Sequence, residues 1–342
     1  MMKALYAKKS FDFNIENYEP KKPGMNEVMV KVHACGLCGT DMHFARDWTE
    51  GYAALGHEIS AEIIELGEGD IPYKKGDKVI VEDVALCGIC EDCKSGKPYL
   101  CRHMYDLGGQ PGMAETMTVN FHLLDKFDDI PWVDATLVEP MAVAYNTVKN
   151  GNIPLGGTVV VTGPGPIGLM CVRLAKLAGA SKVILVGTSM KNLREKTRFE
   201  AGLSLGADEI VESTEYDPVK RVKEILPKGA DTVLVTSPPK TLPVSLQYSR
   251  FGGTVSFIGI DLGGKSSVEV DINELIFNKI SLIPTFAEPA QNFPQTIDLL
   301  RNKMVDASKI ISHTFGFNKA EDIFRRSDSG EEPVLKAVFI PE

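Results

Sequence analysis

Cys87, Cys90, Cys93 and Cys101 stand at steps of three, three and eight in the stretch CGICEDCKSGKPYLC. Four soft thiolates on so short a loop suit tetrahedral zinc with no position left for water, which makes the metal structural. An iron–sulfur cluster is the rival occupant, because Cys-x-x-Cys-x-x-Cys also serves clusters; zinc is the preferred reading. Zinc-finger peptides bind their metal with roughly 10–16 kcal/mol, enough to hold a loop that lacks apolar residues of its own. A second set is dispersed: Cys38 in CGLCGTDMH, His57 and Glu58 in GHEIS, and Glu139 in LVEP. Each is weak alone, since a His-Glu pair is commonly a hydrogen-bonded pair and a Glu before Pro is commonly a turn. Together they offer sulfur, nitrogen and oxygen donors, the mixture of a catalytic zinc site with an open position. Cys35, three residues before Cys38, leaves a redox Cys-x-x-Cys pair as the competing reading.

A third constellation lies in VVVTGPGPIGLMCVRLAKLAGA. It reads as a strand, then Gly163-x-Gly165-x-x-Gly168, then a helix, which is the dinucleotide-binding turn in its proper setting. Gly163 permits the tight turn, Gly165 lets backbone approach a pyrophosphate, and Gly168 lets helix and strand pack closely. Pro166 and Ile167 open the helix, whose N-terminus faces phosphate with its positive dipole end. The next strand ends at Gly187-Thr188-Ser189, where an NAD site would carry an acid for the ribose 2′-hydroxyl. That acid is missing. Lys191 or Arg194 could answer a 2′-phosphate, so NADP is expected ahead of NAD.

These residues need two kinds of scaffold. Residues 1 to about 140 carry short β-like runs such as EVMVKVHA and HEISAEIIELG, broken by Gly, Pro and Asp. From about 145, apolar β-branched runs (GGTVVVTG, SKVILVG, DTVLVTS, GGTVSFIG) alternate with helix-like stretches. That alternation predicts βαβ units and a doubly wound parallel sheet, hence an α/β chain. A length of 342 residues suits two domains, and a net charge of −9 argues against a nucleic-acid surface. No run approaches the ~18 apolar residues of a membrane span, and the N-terminus lacks a signal-peptide core, so a cytoplasmic location is expected. Seven cysteines in that compartment favour metal sites over disulfides.

CGLCGTDMH, GHE, KKGDKV, the four-cysteine loop, VEP and GPGPIG occur in the order found in the zinc-dependent medium-chain dehydrogenases, and the chain resembles that family over essentially its whole length. The resemblance implies a GroES-like catalytic domain over 1–143, a Rossmann domain over 144–287 and a 288–342 segment completing the first. It implies hydride transfer between a secondary alcohol and NAD(P), with two zinc ions per chain. Cys38 and His57 match permanent zinc ligands; Glu58 and Glu139 match a carboxylate-rich variant similar to the polyol and sorbitol branch. Thr40 and His43 then stand as the two ends of a proton relay. Asp41 looks like the carboxylate orienting His57, or the N-cap of a short helix at DMHFARD. A homodimer or homotetramer is implied, with KISLIPTF as a pairing strand.

A simple-alcohol or threonine-type dehydrogenase is the nearest alternative. A zinc module for nucleic acid with a ligand-sensing Rossmann half is opposed by the acidic charge, and the zinc-free quinone-reductase branch would not need these ligands.

Overall fold

The computed structural model describes residues 2–261, 263–286, 292–330 and 332–341. The chain forms two compact units: Met1–Ala142 with Glu288–Ser329 and Lys336–Glu342, and Val143–Ala287 with Gly330–Leu335. The joint at 287/288 lies outside the described residues. In this division 330–335 goes with the second unit, whereas the sequence reading places it in the 288–342 segment. Gly330, at φ 73°, lies against Arg194: a Cβ there would stand 3.1 Å from its Cζ.

The first unit is built on the strand Glu27–Gly36. Val28, Val30, Val32 and Ala34 are buried while Lys31 is exposed, the two-residue period of a strand with one face in the core. It pairs antiparallel with Glu58–Leu66, Thr116–Asn120 and Lys336–Phe339. Lys78–Val81 and Leu124–Lys126 extend the same sheet on one side, and Ile311–Phe315 extends it on the other. The register sets Gly36 opposite Glu58 and also opposite Val338. Three segments far apart in sequence therefore end together.

The second unit is a six-stranded parallel sheet in the order Glu209–Glu212, Lys182–Gly187, Thr158–Thr162, Ala230–Val235, Ser249–Phe257, Ser281–Pro284. In chain order this is 3-2-1-4-5-6, the doubly wound dinucleotide-binding arrangement. Val160, Ile184 and Val233 are wholly buried in its core. Each such side chain contributes about 1.5–3 kcal/mol relative to exposure, which explains why these strands read as unbroken apolar runs. Gly163 takes φ 94°, in the left-handed region. A Cβ on Gly168 would stand 1.8 Å from the Gly163 carbonyl oxygen, so only glycine lets this helix start so near the strand.

Candidate metal and cofactor sites

Cys38 follows the end of Glu27–Gly36, and His57 and Glu58 open the neighbouring strand. Their donor atoms lie within 4.8 Å of one another. Glu58 is buried, its Oε1 takes a hydrogen bond from the Lys336 ammonium, and its Oε2 has no partner. An unpartnered carboxylate oxygen beside a thiol and an imidazole is the donor chemistry of a zinc site. The surrounding field agrees. Burial opposes charge on His57, but Cys38, Asp41 and Glu139 outweigh it and raise its pKa well above the ordinary range. Burial, with Asp83 beside it, drives Glu139 well above the ordinary carboxyl range. So concentrated a negative field favours a bound cation. Glu139, at the start of the helix Val138–Gly151, is within electrostatic reach of Cys38, His57 and Glu58 but outside their tight cluster.

Asp41 is fully buried and joins the two ligand-bearing turns through their backbones. Its Oδ2 accepts from the Cys38 amide at 3.0 Å and its Oδ1 from the Gly56 amide at 2.9 Å. It is not the N-cap expected from the sequence: the helix is Gly39–His43, its N-cap is Cys38, and Asp41 is the third residue of a capping box. Nor does it hydrogen-bond the His57 ring directly, since Nδ1 lies 3.9 Å away. Thr40 Oγ1 is 3.8 Å from Cys38 Sγ, and His43 is partly exposed on the same helix. Cys35 is buried with Gly56 packed over it, its thiol pushed far up by burial.

The four loop sulfurs also lie within 4.8 Å of one another. Cys87 to Cys101 is 3.6 Å, Cys90 to Cys101 is 3.9 Å, and Cys87 to Cys93 is 4.0 Å. Zinc–sulfur bonds of 2.3 Å in a tetrahedron place sulfurs about 3.8 Å apart, so the cage has the size zinc requires. Amides of Ile89 and Cys90 donate to Cys87 and draw its thiol down to about 6, towards the thiolate a metal needs.

In the parallel-sheet unit a cavity of about 410 Å³ is lined by Gly163, Pro164, Gly165, Gly187 and Thr188. A Cβ at Gly165 would meet open space, so this backbone is free for the approach of a ligand. Pro166 and Ile167 do not line the cavity, although Pro166 occupies the first helical position as expected. Lys191 is exposed and paired with Glu215, Ser189 donates to Glu215 at 2.9 Å, and Arg194 lies against Gly330. Two cations line the cavity instead, Lys240 and Arg198; Arg198 is paired with Glu195, also in the lining, at 2.9 Å, and its Nε has no partner. Ser237 Oγ, 2.9 Å from Thr162 Oγ1, closes the loop at Pro238 over the glycine turn.

Residues 24–129 match the alcohol dehydrogenase GroES-like domain, and residues 166–302 match the zinc-binding dehydrogenase family. The L-threonine 3-dehydrogenase of Pyrococcus horikoshii is 32% identical over 99% of this chain and 98% of its own. The chain belongs to the zinc-dependent medium-chain dehydrogenases. A sorbitol dehydrogenase of Halalkalibacterium halodurans is 30% identical, with 96% of each chain covered. The alcohol dehydrogenase of Thermus sp. ATN1 superposes with a TM-score of 0.89, at 25% identity and full coverage of both chains. The enzyme is a zinc-dependent oxidoreductase of alcohols that uses a nicotinamide cofactor. Among the described residues, no helix is long and apolar enough to cross a membrane.

Two residues of this dehydrogenase's metal region carry no motif signal. Asp83 stands within electrostatic reach of His57, Glu58 and Glu139, four residues before the cysteine loop. Lys336, 278 residues from Glu58, is buried with it. Burial opposes the Lys336 charge, but Glu58 and Cys38 outweigh it and keep the ammonium protonated. Gly36 makes room for this pair, because a Cβ there would stand 1.9 Å from Glu58 Oε2. Breaking a buried pair by removing one partner costs about 3–5 kcal/mol. Lys336→Met is therefore expected to lower the thermal midpoint and, with Glu58 as a candidate zinc ligand, to weaken zinc binding about 10- to 100-fold, the usual loss when a ligand's own partner is removed. Competition with a fluorescent chelator measures the second effect; wild-type affinity and midpoint together would show the pair to be idle.

Proposed function

We propose that this dehydrogenase oxidises a secondary hydroxyl of a polyol, sugar or sugar acid, with two zinc ions per chain and NADP ahead of NAD. The observation that carries the substrate reading is the carboxylate-rich donor set: Glu58 with its free oxygen inside the cluster and Glu139 buried beside it. When bound, zinc would supply the Lewis acidity that lowers the pKa of a substrate hydroxyl, and a nicotinamide would be the acceptor for the hydride from the carbinol carbon. Cys38, His57 and Glu58 hold the metal, while Asp41 fixes their two turns and Lys336 orients Glu58. Thr40, beside Cys38, would accept the hydroxyl proton while giving up its own, and His43 would release a proton to solvent at the far end of a relay that runs through the nicotinamide ribose. Cys87, Cys90, Cys93 and Cys101 hold the second zinc.

For the cofactor, the positions that line the cavity at the end of the second strand are Gly187 and Thr188, neither of them an acid; the acid in the lining, Glu195, is paired with Arg198, and the cations there are Arg198 and Lys240. A Sinorhizobium meliloti 1021 protein solved with NADP bound is 27% identical, with a TM-score of 0.87 over 100% and 99% of the two chains. A hydrogen bond to a charged group is worth about 1.5–3 kcal/mol, or roughly 10- to 150-fold in affinity. Arg198→Leu should weaken NADPH by that factor in a fluorescence titration and leave NADH within about twofold. Equal weakening of both cofactors would remove the 2′-phosphate role.

The threonine-type reading is favoured by the 32% identity to a threonine dehydrogenase. A panel of polyols, sugar acids, simple alcohols and L-threonine with both cofactors separates them; the highest kcat/KM on L-threonine would overturn the polyol assignment. The strand Ser281–Pro284 edges its sheet among the described residues, and the adjoining helix Ile272–Asn278 exposes Ile272, Ile276 and Phe277. An apolar edge of this kind suits pairing with a second copy, so sedimentation should return a dimer or tetramer of a cytoplasmic enzyme. A monomer at micromolar concentration would overturn that part.

A further inference from the structure

His43 is followed by a wide helical turn, Phe44–Trp48, which leaves carbonyls without their usual partners. The hairpin loop between Met2–Lys8 and Asp12–Tyr18 satisfies them. Ser10 and Phe11, both at positive φ, donate to the carbonyls of Arg46 (3.0 Å) and Ala45 (2.6 Å). Arg46 is thus held by its backbone, and its side chain is held as well. Nη1 donates to Asp328 at 3.2 Å, Nε donates to Asp47 at 3.0 Å, and Nη2 reaches His43 Nδ1 at 2.9 Å. Asp328 belongs to the helix Ala320–Ser329, whose Arg325 also lies 5.3 Å from the Phe11 ring.

We propose that Arg46, anchored by Asp328, is a positioning residue that fixes His43 in the tautomer carrying its proton on Nε2. A guanidinium donates and never accepts, so the Nδ1 lone pair must receive its N–H. A neutral imidazole then has its own N–H on Nε2. Asp47 would demand the opposite tautomer, but its oxygen is 3.7 Å from Nδ1 and its other oxygen already accepts from Arg46. Distance decides for Arg46. The consequence rests on the reading of His43 as the outer end of the proton relay: a relay needs one N–H and one lone pair in fixed places, and mixed tautomers misplace both.

The test uses full-length, zinc-loaded enzyme labelled with ¹⁵N-histidine; six histidines keep the spectrum tractable. At a pH where the ring is neutral, wild-type His43 should show a protonated Nε2 and a bare Nδ1. Arg46→Met should give a mixture of tautomers, and Arg46→Lys, which still donates, should restore the single form. Positioned acid–base groups contribute 10²–10⁴-fold, so loss of the fixed tautomer should lower kcat about tenfold in Arg46→Met, with zinc content intact. A wild-type proton on Nδ1 overturns the proposal outright, without any variant. An unchanged tautomer in Arg46→Met overturns it too, and Asp328→Asn with Arg46→Ala serves if that variant does not fold. A shifted tautomer with unchanged kcat upholds the clamp and removes His43 from the proton path.

Discussion

With Cys38 as a ligand of one of the two proposed zinc ions, Cys38→Ser is expected to cut kcat/KM by about a thousandfold or more and to remove one zinc per chain. A bound zinc contributes several kcal/mol to stabilising negative charge on oxygen, and each 1.36 kcal/mol is tenfold in rate. A serine hydroxyl is a far poorer zinc ligand than a thiolate, and the site's other members, His57 and Glu58, would not close a three-donor set. Cys35→Ser is the matched control. That thiol is buried under Gly56, with the Gly36 carbonyl 3.7 Å away. A hydroxyl there would lack a well-placed acceptor and cost about 1–3 kcal/mol of stability. Metal analysis should still find two zincs, with turnover near wild type and a midpoint lower by a few degrees. Equal loss of zinc and turnover from both substitutions would restore the Cys35/Cys38 pair as the working unit.

Cys101→Ser should act on folding before it acts on catalysis. The four-sulfur cage is worth roughly 10–16 kcal/mol when metal is bound, against a typical net stability of 5–15 kcal/mol. The loop has little else to hold it. Ile89, Tyr99 and Leu100 are exposed, and the helix Glu91–Lys94 is one turn with no buried residue. Loss of one ligand should drop the midpoint by more than about 10 °C and open the segment 88–100 to limited proteolysis. Prolonged chelation should reproduce both effects. Iron and visible absorbance in the purified enzyme, in place of zinc, would identify the cage as a cluster site. Unchanged stability after Cys101→Ser would show that the loop folds without metal.

The parts of both sites that were legible in the sequence are those whose chemistry is contiguous. Four cysteines within fifteen residues define a cage almost regardless of context, and Gly163, Gly165 and Gly168 act within one turn. The alternation of apolar strands and helices likewise announced the parallel sheet. Arg198 was not legible, because choosing among Lys191, Arg194 and Arg198 depends on where the helix Leu193–Leu205 begins and which acids flank it. Lys191 and Arg194 do not line the cavity, whereas Arg198 does, paired there with Glu195. Asp41 was assigned the right neighbourhood but the wrong contacts, since its partners are backbone amides that carry no residue signature.

By itself, then, the sequence determined the chemistry on offer: the donor types, the glycine turn and the kind of sheet beneath it. Only the tertiary structure decided which charges face those groups. Lys336 reaches Glu58 because antiparallel register sets Val338 and Glu58 on either side of Gly36, and Asp328 reaches Arg46 across 282 residues. Local motifs survive in sequence because neighbouring residues share one backbone geometry. Pairings across strands and helices arise when distant segments are buried together, and burial makes an unpaired charge too costly to leave alone.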